Sequence, residues 1–443
     1  MLRGYPSERH NLGCYAKRIV NHFRFESDVE TREIGNHPAD EPWEDLRRAF
    51  PGLEDRVFLD AACVSLAPAP SIAAVEGFLR KVVRCDERDA SEHHVALDRL
   101  RRPAVLECAA LIGADESEVA LVESTTQGLN IAAQAIPFAP SDNVVLADLE
   151  FLQVAIPWVK LKERGDIADV RLARNVGGAV PVEAFARVVD SNTRAIVVSS
   201  VQWTNGYRVD LDGLGRLCRE VGAYLVVDAI QGLGALEMDV NATPVDFLVA
   251  GGHKWLNSPF GCGLLYLNRQ TTLQLSPAAF GYLALAEPEG GWPRYFATPE
   301  ITPLRRYEYP RRASSFEVGG TANYPGAMAL GAAVALLNRI GTTQIEDRVL
   351  ALAESVANGL DEFGLHVVTH REREVRSGIT TFTASSRPEA NEALLARLLD
   401  QHVLVSLRYT AGVGGIRVST HAYNTEADVG AFLEAVKRSL PLP

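Results

Sequence analysis

The stretch DFLVAGGHKW, residues 246–255, sets a histidine and a lysine directly behind a short apolar run. The apolar run indicates a strand that is buried on both faces of a sheet. A lysine at the end of such a strand loses hydration, and burial disfavours its charged form. Lys254 is therefore either a functional amine or an ordinary loop lysine that points into water, and the surrounding sequence has to distinguish the two.

Similar apolar runs recur between residues 117 and 267, and segments with helical spacing separate most of them. The predicted strands read EVALVES (118–124), DNVVLADLE (142–150), TRAIVVSSVQ (193–202), AYLVVDAI (223–230), DFLVAGGH (246–253) and GCGLLYL (261–267). Continuous apolar strands that alternate with helices predict a parallel sheet covered on both faces. We expect an α/β fold, with a major domain built on a mostly parallel central sheet flanked by helices and a smaller C-terminal α/β domain.

The pattern along the chain predicts three parts. Residues 1–45 are an N-terminal extension, residues 46–325 are the major domain, and residues 326–443 are the small C-terminal domain. Residues 280–313 interrupt the major domain with a stretch rich in Pro, Gly, Tyr and Arg. A structureless stretch of this length is usually functional. We expect it to act as an active-site or dimer loop, and Tyr282 is its candidate substrate contact.

Charge and composition exclude several classes of protein. The net charge of −12 over 443 residues argues against a nucleic-acid or anionic-membrane partner. No stretch approaches the ~18 apolar residues of a membrane span, and the N-terminus lacks the apolar core of a secretory signal. The six cysteines form no CxxC pair, which fits a reducing cytoplasm and neither a disulfide framework nor a zinc site. We expect a cytoplasmic protein without a metal.

Residues at the C-terminal ends of four predicted strands are suited to one ligand. In open parallel sheets, ligands bind at these ends. Ser124–Gly128 begins a helix and can bind an anion. Phe151 can stack on a flat ring. Asp228 can pair with a cationic ring nitrogen, and Gln231 can reach the same ligand. Taken singly, each of these residues also has a simpler structural role, such as a helix cap, a core aromatic or part of a turn. Together with Lys254, these residues predict a pyridoxal phosphate pocket.

At these motifs the sequence resembles the class V aminotransferase group of fold-type I pyridoxal phosphate enzymes. That group includes cysteine desulfurases, selenocysteine lyase and isopenicillin N epimerase. The resemblance extends from FPGLEDRVFLDAACVSLAP (50–68) to IRVSTHAYNTEADVGAFLEAV (416–436), which is most of the chain. The motifs that match are STTQGLN, VVDAIQGLGA, GGHKW, FEVGGTANYPGAMALGAA and RVSTHAYNT.

The resemblance implies a role for each matched residue. Lys254 binds the cofactor covalently and Asp228 pairs with its ring nitrogen, so these two are the catalytic candidates. Arg417 binds the substrate carboxylate. Arg408 is a second candidate for this contact, and a role as an ordinary surface residue is as consistent with the sequence. Thr321 reaches the phosphate of the other subunit, which implies a homodimer with active sites at the interface. The cofactor-binding candidates are Thr125, Thr126, Phe151, Asp228, Gln231, His253, Lys254 and Thr321.

Some positions depart from the desulfurase pattern. Gly251 stands where desulfurases usually have a phosphate-binding serine, and Trp203 lies near a position that is often asparagine. Desulfurases carry a nucleophilic cysteine in the C-terminal domain, whereas no cysteine follows Cys262 here. Cys63 lies in a segment that approaches the active site in this family, although packing is its simpler role.

We therefore predict a C–S lyase that eliminates a thiol from a cysteine conjugate without a persulfide cysteine. The alternatives within enzymes are decarboxylation with oxidative deamination, transamination or epimerisation of an amino acid in secondary metabolism. The alternative from another class is a non-catalytic partner protein that binds pyridoxal phosphate. The substrate is expected to be an α-amino acid, and the sequence does not name which one.

Overall fold

Six of the seven strands of the central sheet lie where the apolar runs predict them, and the seventh, the edge strand at residues 169–173, was not predicted because it is only partly buried. A computed structural model of the protein describes residues 41–317 and 322–440, and from Pro42 onward the described chain is one compact unit. The predicted extension up to residue 40 and the predicted phosphate contact Thr321 lie outside the described residues. The domain boundary at residue 325 remains a prediction.

Strands and α-helices alternate between residues 119 and 228 of the chain. The strands are β1 (Val57–Phe58), β2 (Val119–Val122), β3 (Asn143–Ala147), β4 (Asp169–Ala173), β5 (Thr193–Ser199), β6 (Tyr224–Asp228), β7 (Phe247–Gly251), β8 (Gly263–Leu267), β9 (His366–Val367), β10 (Ile379–Thr383), β11 (Val403–Leu404), β12 (Ser406–Thr410) and β13 (Val413–Ser419). The α-helices are α1 (Glu41–Arg48), α2 (Ala69–Val82), α3 (Ala90–Arg99), α4 (Arg102–Ile112), α5 (Thr125–Ala135), α6 (Leu152–Arg164), α7 (Val182–Ala186), α8 (Leu211–Val221), α9 (Arg269–Gln274), α10 (Gly291–Phe296), α11 (Tyr324–Ile340), α12 (Thr342–Glu362), α13 (Pro388–Asp400) and α14 (Glu426–Ser439).

Seven strands form the central sheet in the spatial order β2-β8-β7-β6-β5-β3-β4. All neighbouring pairs are parallel except those that involve β8, which runs antiparallel to β2 and β7. Every residue of β2, β3, β7 and β8 is buried, because helices cover both faces of the sheet. The predicted mostly parallel sheet is confirmed, and β2, β3, β5, β6 and β7 all end at the same edge.

A second, four-stranded sheet is antiparallel and has the order β12-β13-β10-β9. Leu352, Val356, Phe382 and Phe432 belong to the buried apolar cluster between this sheet and its helices. The early strand β1 pairs in parallel with β11, so an N-terminal segment joins the C-terminal part of the fold. None of the described helices is long and apolar enough to cross a membrane.

Candidate active site

Lys254 lies three residues beyond β7, at the edge of the sheet where the parallel strands end. Burial lowers the pKa of its amine to about 8. The charge of Asp228 opposes this change, whereas Arg417 and Arg408 add to it. The Nζ atom has no hydrogen-bond partner among the described residues. An amine in these surroundings is partly neutral near physiological pH and can act as a nucleophile or a base.

Asp228 is the last residue of β6 and is 3% exposed. Its Oδ1 accepts a hydrogen bond from the Ile230 N–H at 2.9 Å, and no basic side chain bonds to it within the described residues. Burial raises the pKa of this carboxyl to about 6, although the Ile230 N–H and Lys254 favour the charged form. A buried acid without a basic hydrogen-bond partner is suited to pair with a cationic group of a ligand.

The start of α5 meets the end of β7 at one point. Ser124 caps the helix, and the Gly251 N–H donates to Thr125 Oγ1 at 2.9 Å. A Cβ added at Gly251 would lie 3.2 Å from both Thr125 Oγ1 and His253 Nδ1. Gly251, the Thr125 hydroxyl and the His253 imidazole therefore form a polar cradle at the N-terminus of α5, and such a helix terminus suits a phosphate. Thr126 is exposed in the first turn of the same helix.

His253 remains neutral in this cradle. Burial and, to a lesser extent, the charge of Lys254 lower the pKa of its imidazole to about 4. The ring also stacks on Phe260, with the centroids 4.7 Å apart. His253 can therefore offer a phosphate a neutral N–H donor, but not a charge.

Two aromatic rings face the amine. Lys254 Nζ lies 5.9 Å from the centroid of the Phe151 ring, which is 39% exposed. Trp203 packs edge-on against Phe151 at 5.3 Å, and its buried Nε1 has no hydrogen-bond partner. An open ring beside the amine can stack on a flat ligand, as predicted for Phe151. Trp203 is a candidate contact that the sequence indicated only as a departure from the desulfurase pattern.

Gln231 has protein partners at both ends of its amide. Its Nε2 donates to the Ala62 carbonyl at 3.0 Å, and its Oε1 accepts from Trp255 Nε1 at 2.9 Å. Trp255 follows Lys254 directly, so Gln231 helps to hold the segment that bears the amine. One N–H of the amide is left for a ligand, and the contact with a ring hydroxyl stays a prediction.

Arg417, on β13, brings a cation from the second sheet to this edge. It is 1% exposed, and it donates to the Trp203 carbonyl at 2.9 Å and to Asp60 Oδ1 at 3.2 Å. Its buried Nε has no partner. Three of its N–H groups therefore stay available to a substrate carboxylate. Sequence reasoning missed Asp60, although a carboxylate directly after the apolar run VFL was a usable signal.

Arg408, on β12, lies beside a thiol. Its Nη2 donates to Cys63 Sγ at 3.5 Å and its Nη1 to the Leu407 carbonyl. Within the described residues it has no carboxylate partner. The charges of Arg408 and Cys63 both influence the pKa of Lys254, so the two side chains lie near the pocket.

Tyr282 is placed apart from these residues. Its ring packs edge-on against Trp292 at 5.4 Å, and both rings line a separate cavity of about 770 Å³ formed by residues 282–308. This stretch, expected to lack regular structure, contains helix α10. No described contact joins Tyr282 to Lys254 or Arg417, and its role as a substrate contact stays a prediction.

Comparison with known proteins assigns this arrangement to a family. The family model "Aminotransferase class-V" matches residues 57–432. The chain belongs to the class V aminotransferase family. The family depends on pyridoxal phosphate, and this member of it is a pyridoxal phosphate enzyme. The described residues fit the chemistry of that cofactor. The amine of Lys254 suits its aldehyde, and the buried carboxyl of Asp228 suits its ring nitrogen. The exposed ring of Phe151 suits its ring face, and the polar cradle at Gly251 suits its phosphate.

Relatives of this class V aminotransferase extend over most of the chain. A probable cysteine desulfurase of Methanothermobacter thermautotrophicus is 28% identical over 89% of this chain and 97% of its own length. The cysteine desulfurase of Klebsiella pneumoniae is 30% identical over 69% of this chain and 74% of its own length.

Solved structures share the fold. A cysteine desulfurase of Thermococcus onnurineus has a TM-score of 0.78 at 22% identity, over 91% of this chain and 99% of its own. The cystine C–S lyase C-DES, solved with its product cysteine persulfide, has a TM-score of 0.78 at 20% identity, over 89% of this chain and 100% of its own. The predicted fold-type I architecture is confirmed.

Proposed function

We propose that the protein is a C–S lyase, which eliminates a thiol from the β-carbon of a cysteine conjugate and forms no persulfide on its own cysteines. Relatives that match most of the chain are named cysteine desulfurases, and one structural neighbour is a cystine C–S lyase. Both activities break a carbon–sulfur bond of an amino acid. The proposed lyase also breaks this bond. It differs from a desulfurase because the sulfur leaves as a thiol and is not transferred to a cysteine of the protein.

The arrangement of Lys254, Asp228 and Arg417 around one pocket chiefly supports an amino-acid substrate. Arg417 would hold the carboxylate through its unpaired N–H groups. Lys254 would hold the cofactor in the resting enzyme and, once released by the substrate, would take the proton from the substrate Cα. Bound pyridoxal phosphate would supply an electron sink for the negative charge at that carbon. Asp228 would keep the ring nitrogen protonated, the Cβ–S bond would break with its electron pair on sulfur, and the thiolate would leave as the thiol after it takes up a proton.

The positions of the cysteines support direct loss of the thiol. The sequence has no cysteine after Cys262, so β9 to β13 offer no nucleophilic sulfur. Cys108, Cys218 and Cys262 are buried, and burial raises the pKa of each thiol, that of Cys262 to about 12. Thiols in such surroundings are poor nucleophiles. Cys85 is exposed, and its Sγ contacts the backbone carbonyls of Glu87 and Asp89.

Cys63 supports one alternative, a cysteine desulfurase that uses this thiol. It is half-buried, and its Sγ accepts a hydrogen bond from Arg408 Nη2 at 3.5 Å. In that case the sulfur of the substrate would be transferred to Cys63 and alanine would be released.

A panel of cysteine S-conjugates, with free cysteine included, distinguishes the two functions. The lyase is expected to release thiol, pyruvate and ammonia in equal amounts, and Cys63→Ala should retain the activity within about threefold. Mass spectrometry during turnover should find no protein with the added mass of one sulfur atom. Alanine as the product, with an adduct on Cys63 and loss of activity in the variant, would establish the desulfurase instead. A keto acid that forms only when an amino acceptor is present would indicate transamination. Carbon dioxide would indicate decarboxylation, and the absence of any product would indicate a non-catalytic protein.

We also propose that the enzyme is a homodimer with active sites at the interface. The support is the match of FEVGGTANYPGAMALGAA to the family motif that contains Thr321. Sedimentation velocity should find a dimer at micromolar concentration, and a fully active monomer would contradict the proposal.

A further inference from the structure

A second acid lies next to the cofactor pocket and has no role in the function proposed above. Glu150 follows β3 and immediately precedes Phe151. It is 9% exposed, and within the described residues it forms no ion pair with a basic side chain. A buried carboxyl group without a cation is costly, so the residue has to be stabilised by hydrogen bonds.

Three hydrogen bonds join Glu150 to the segment that leaves β5. The Ser199 N–H donates to Oε1 at 2.9 Å, and Gln202 Nε2 donates to the same oxygen at 3.1 Å. The Ser199 hydroxyl donates to Oε2 at 2.5 Å. The carboxyl group therefore ties the end of β3 to both ends of the four-residue stretch 199–202.

An aromatic contact continues this link one residue further along each segment. Phe151 follows Glu150, Trp203 follows Gln202, and their rings pack edge-on with centroids 5.3 Å apart. The Trp203 carbonyl also accepts the hydrogen bond from Arg417. A displacement of residues 199–203 would therefore move the Phe151 ring, which lies beside Lys254. It would also move the Trp203 carbonyl, which accepts the hydrogen bond from Arg417.

We propose that Glu150 is a positioning residue, whose hydrogen bonds hold residues 199–202 so that Phe151 and Trp203 keep their orientation against the cofactor. This inference rests on the proposed placement of Phe151 at the cofactor ring. It assigns no proton transfer to Glu150 and requires only its capacity to accept hydrogen bonds.

Glutamine is a closely matched replacement for this acid. Burial and, to a lesser extent, the charge of Asp228 raise the pKa of Glu150 to about 7, so a neutral side chain is readily tolerated. The oxygen of the replacing amide can take the place of Oε1 and accept from the Ser199 N–H and from Gln202 Nε2. Its NH2 group then lies at the place of Oε2 and can donate to the Ser199 hydroxyl, which is able to accept.

The test compares holoenzyme variants by the visible circular dichroism of the bound cofactor, without substrate, and by kcat and KM. Glu150→Ala should lose at least about half of the dichroic signal and about 10- to 100-fold in kcat, because small displacements at a reacting centre have effects of that order. Glu150→Gln should stay within about threefold of the wild type. Asp246→Asn is the control, since this acid accepts hydrogen bonds at the opposite end of β7. It should lower Tm and leave the dichroism unchanged.

Two results would overturn the inference. One is a Glu150→Ala enzyme with lowered Tm but wild-type dichroism and kcat, which is the behaviour of a merely structural residue. The other is a Glu150→Gln enzyme as impaired as Glu150→Ala, since charge would then matter instead of hydrogen bonding. If Glu150→Ala does not fold, Gln202→Leu removes one of the three bonds and should reduce the dichroism; an unchanged signal refutes the inference. Because the dichroism needs no substrate, failure of the lyase proposal is recognised separately by the absence of thiol and pyruvate.

Discussion

Replacement of Asp228 by asparagine should stabilise the apoenzyme while it weakens cofactor binding. Asparagine has nearly the same shape, and its Oδ1 can keep the hydrogen bond from the Ile230 N–H, which is 2.9 Å long in the wild type. The substitution therefore removes a charge without opening a cavity. The charge is buried and has no basic hydrogen-bond partner until the cofactor binds, so its removal relieves a cost in the apoenzyme.

The pKa of Asp228 sets the size and the sign of this effect. The pKa rises from 3.8 to about 6 on folding, which corresponds to about 3 kcal/mol against the ionised form in the folded protein. The unfolded chain releases this proton at lower pH than the folded chain does. The stability of the wild type therefore falls as pH rises from about 4 to about 6, and the full cost is present above that window.

Urea unfolding of both apoenzymes measures the prediction. At about pH 7 the variant should be more stable by about 2–3 kcal/mol, and the difference should vanish near about pH 3, where aspartate is protonated in both states. Cofactor affinity should fall by about 100-fold, because a cation on the ring nitrogen no longer meets a charge. An apo variant less stable than the wild type at pH 7, or a stability difference independent of pH, would refute the reasoning.

Two further predictions concern the amine and the phosphate cradle. Because burial lowers the pKa of Lys254 to about 8, capture of pyridoxal phosphate by the apoenzyme should accelerate with pH and level off above about pH 8 in stopped-flow absorbance; a rate independent of pH would contradict this. Gly251→Ala should weaken cofactor binding by about tenfold in equilibrium dialysis, because the new methyl group fills the space 3.2 Å from Thr125 Oγ1 and His253 Nδ1. Gly77→Ala, with open space around the new Cβ, is the matched control and should bind normally.

The sequence alone determined the central sheet and the order of the groups along its edge. Strands such as Phe247–Gly251 are apolar throughout because both faces are covered, and this pattern can be read without coordinates. In a parallel sheet the strand ends meet at one edge, so Asp228 and Lys254 could be expected together although 26 positions separate them in the chain. The motifs at these ends were specific enough to indicate the cofactor and the family.

The tertiary structure decided which distant segments complete the site. Asp60 meets Arg417 because the segment that follows β1 forms an isolated parallel bridge with the end of β13, between Asp60 and Ser419. The ion pair of Asp60 and Arg417 spans 357 positions of the chain. The contact of Cys63 with Arg408 arises in the same way, and the ring of Tyr282 packs against Trp292 of its own loop. Hydrophobic periodicity reports which face of a strand is buried. It does not report the register between segments that are hundreds of residues apart, and register determines which side chains touch.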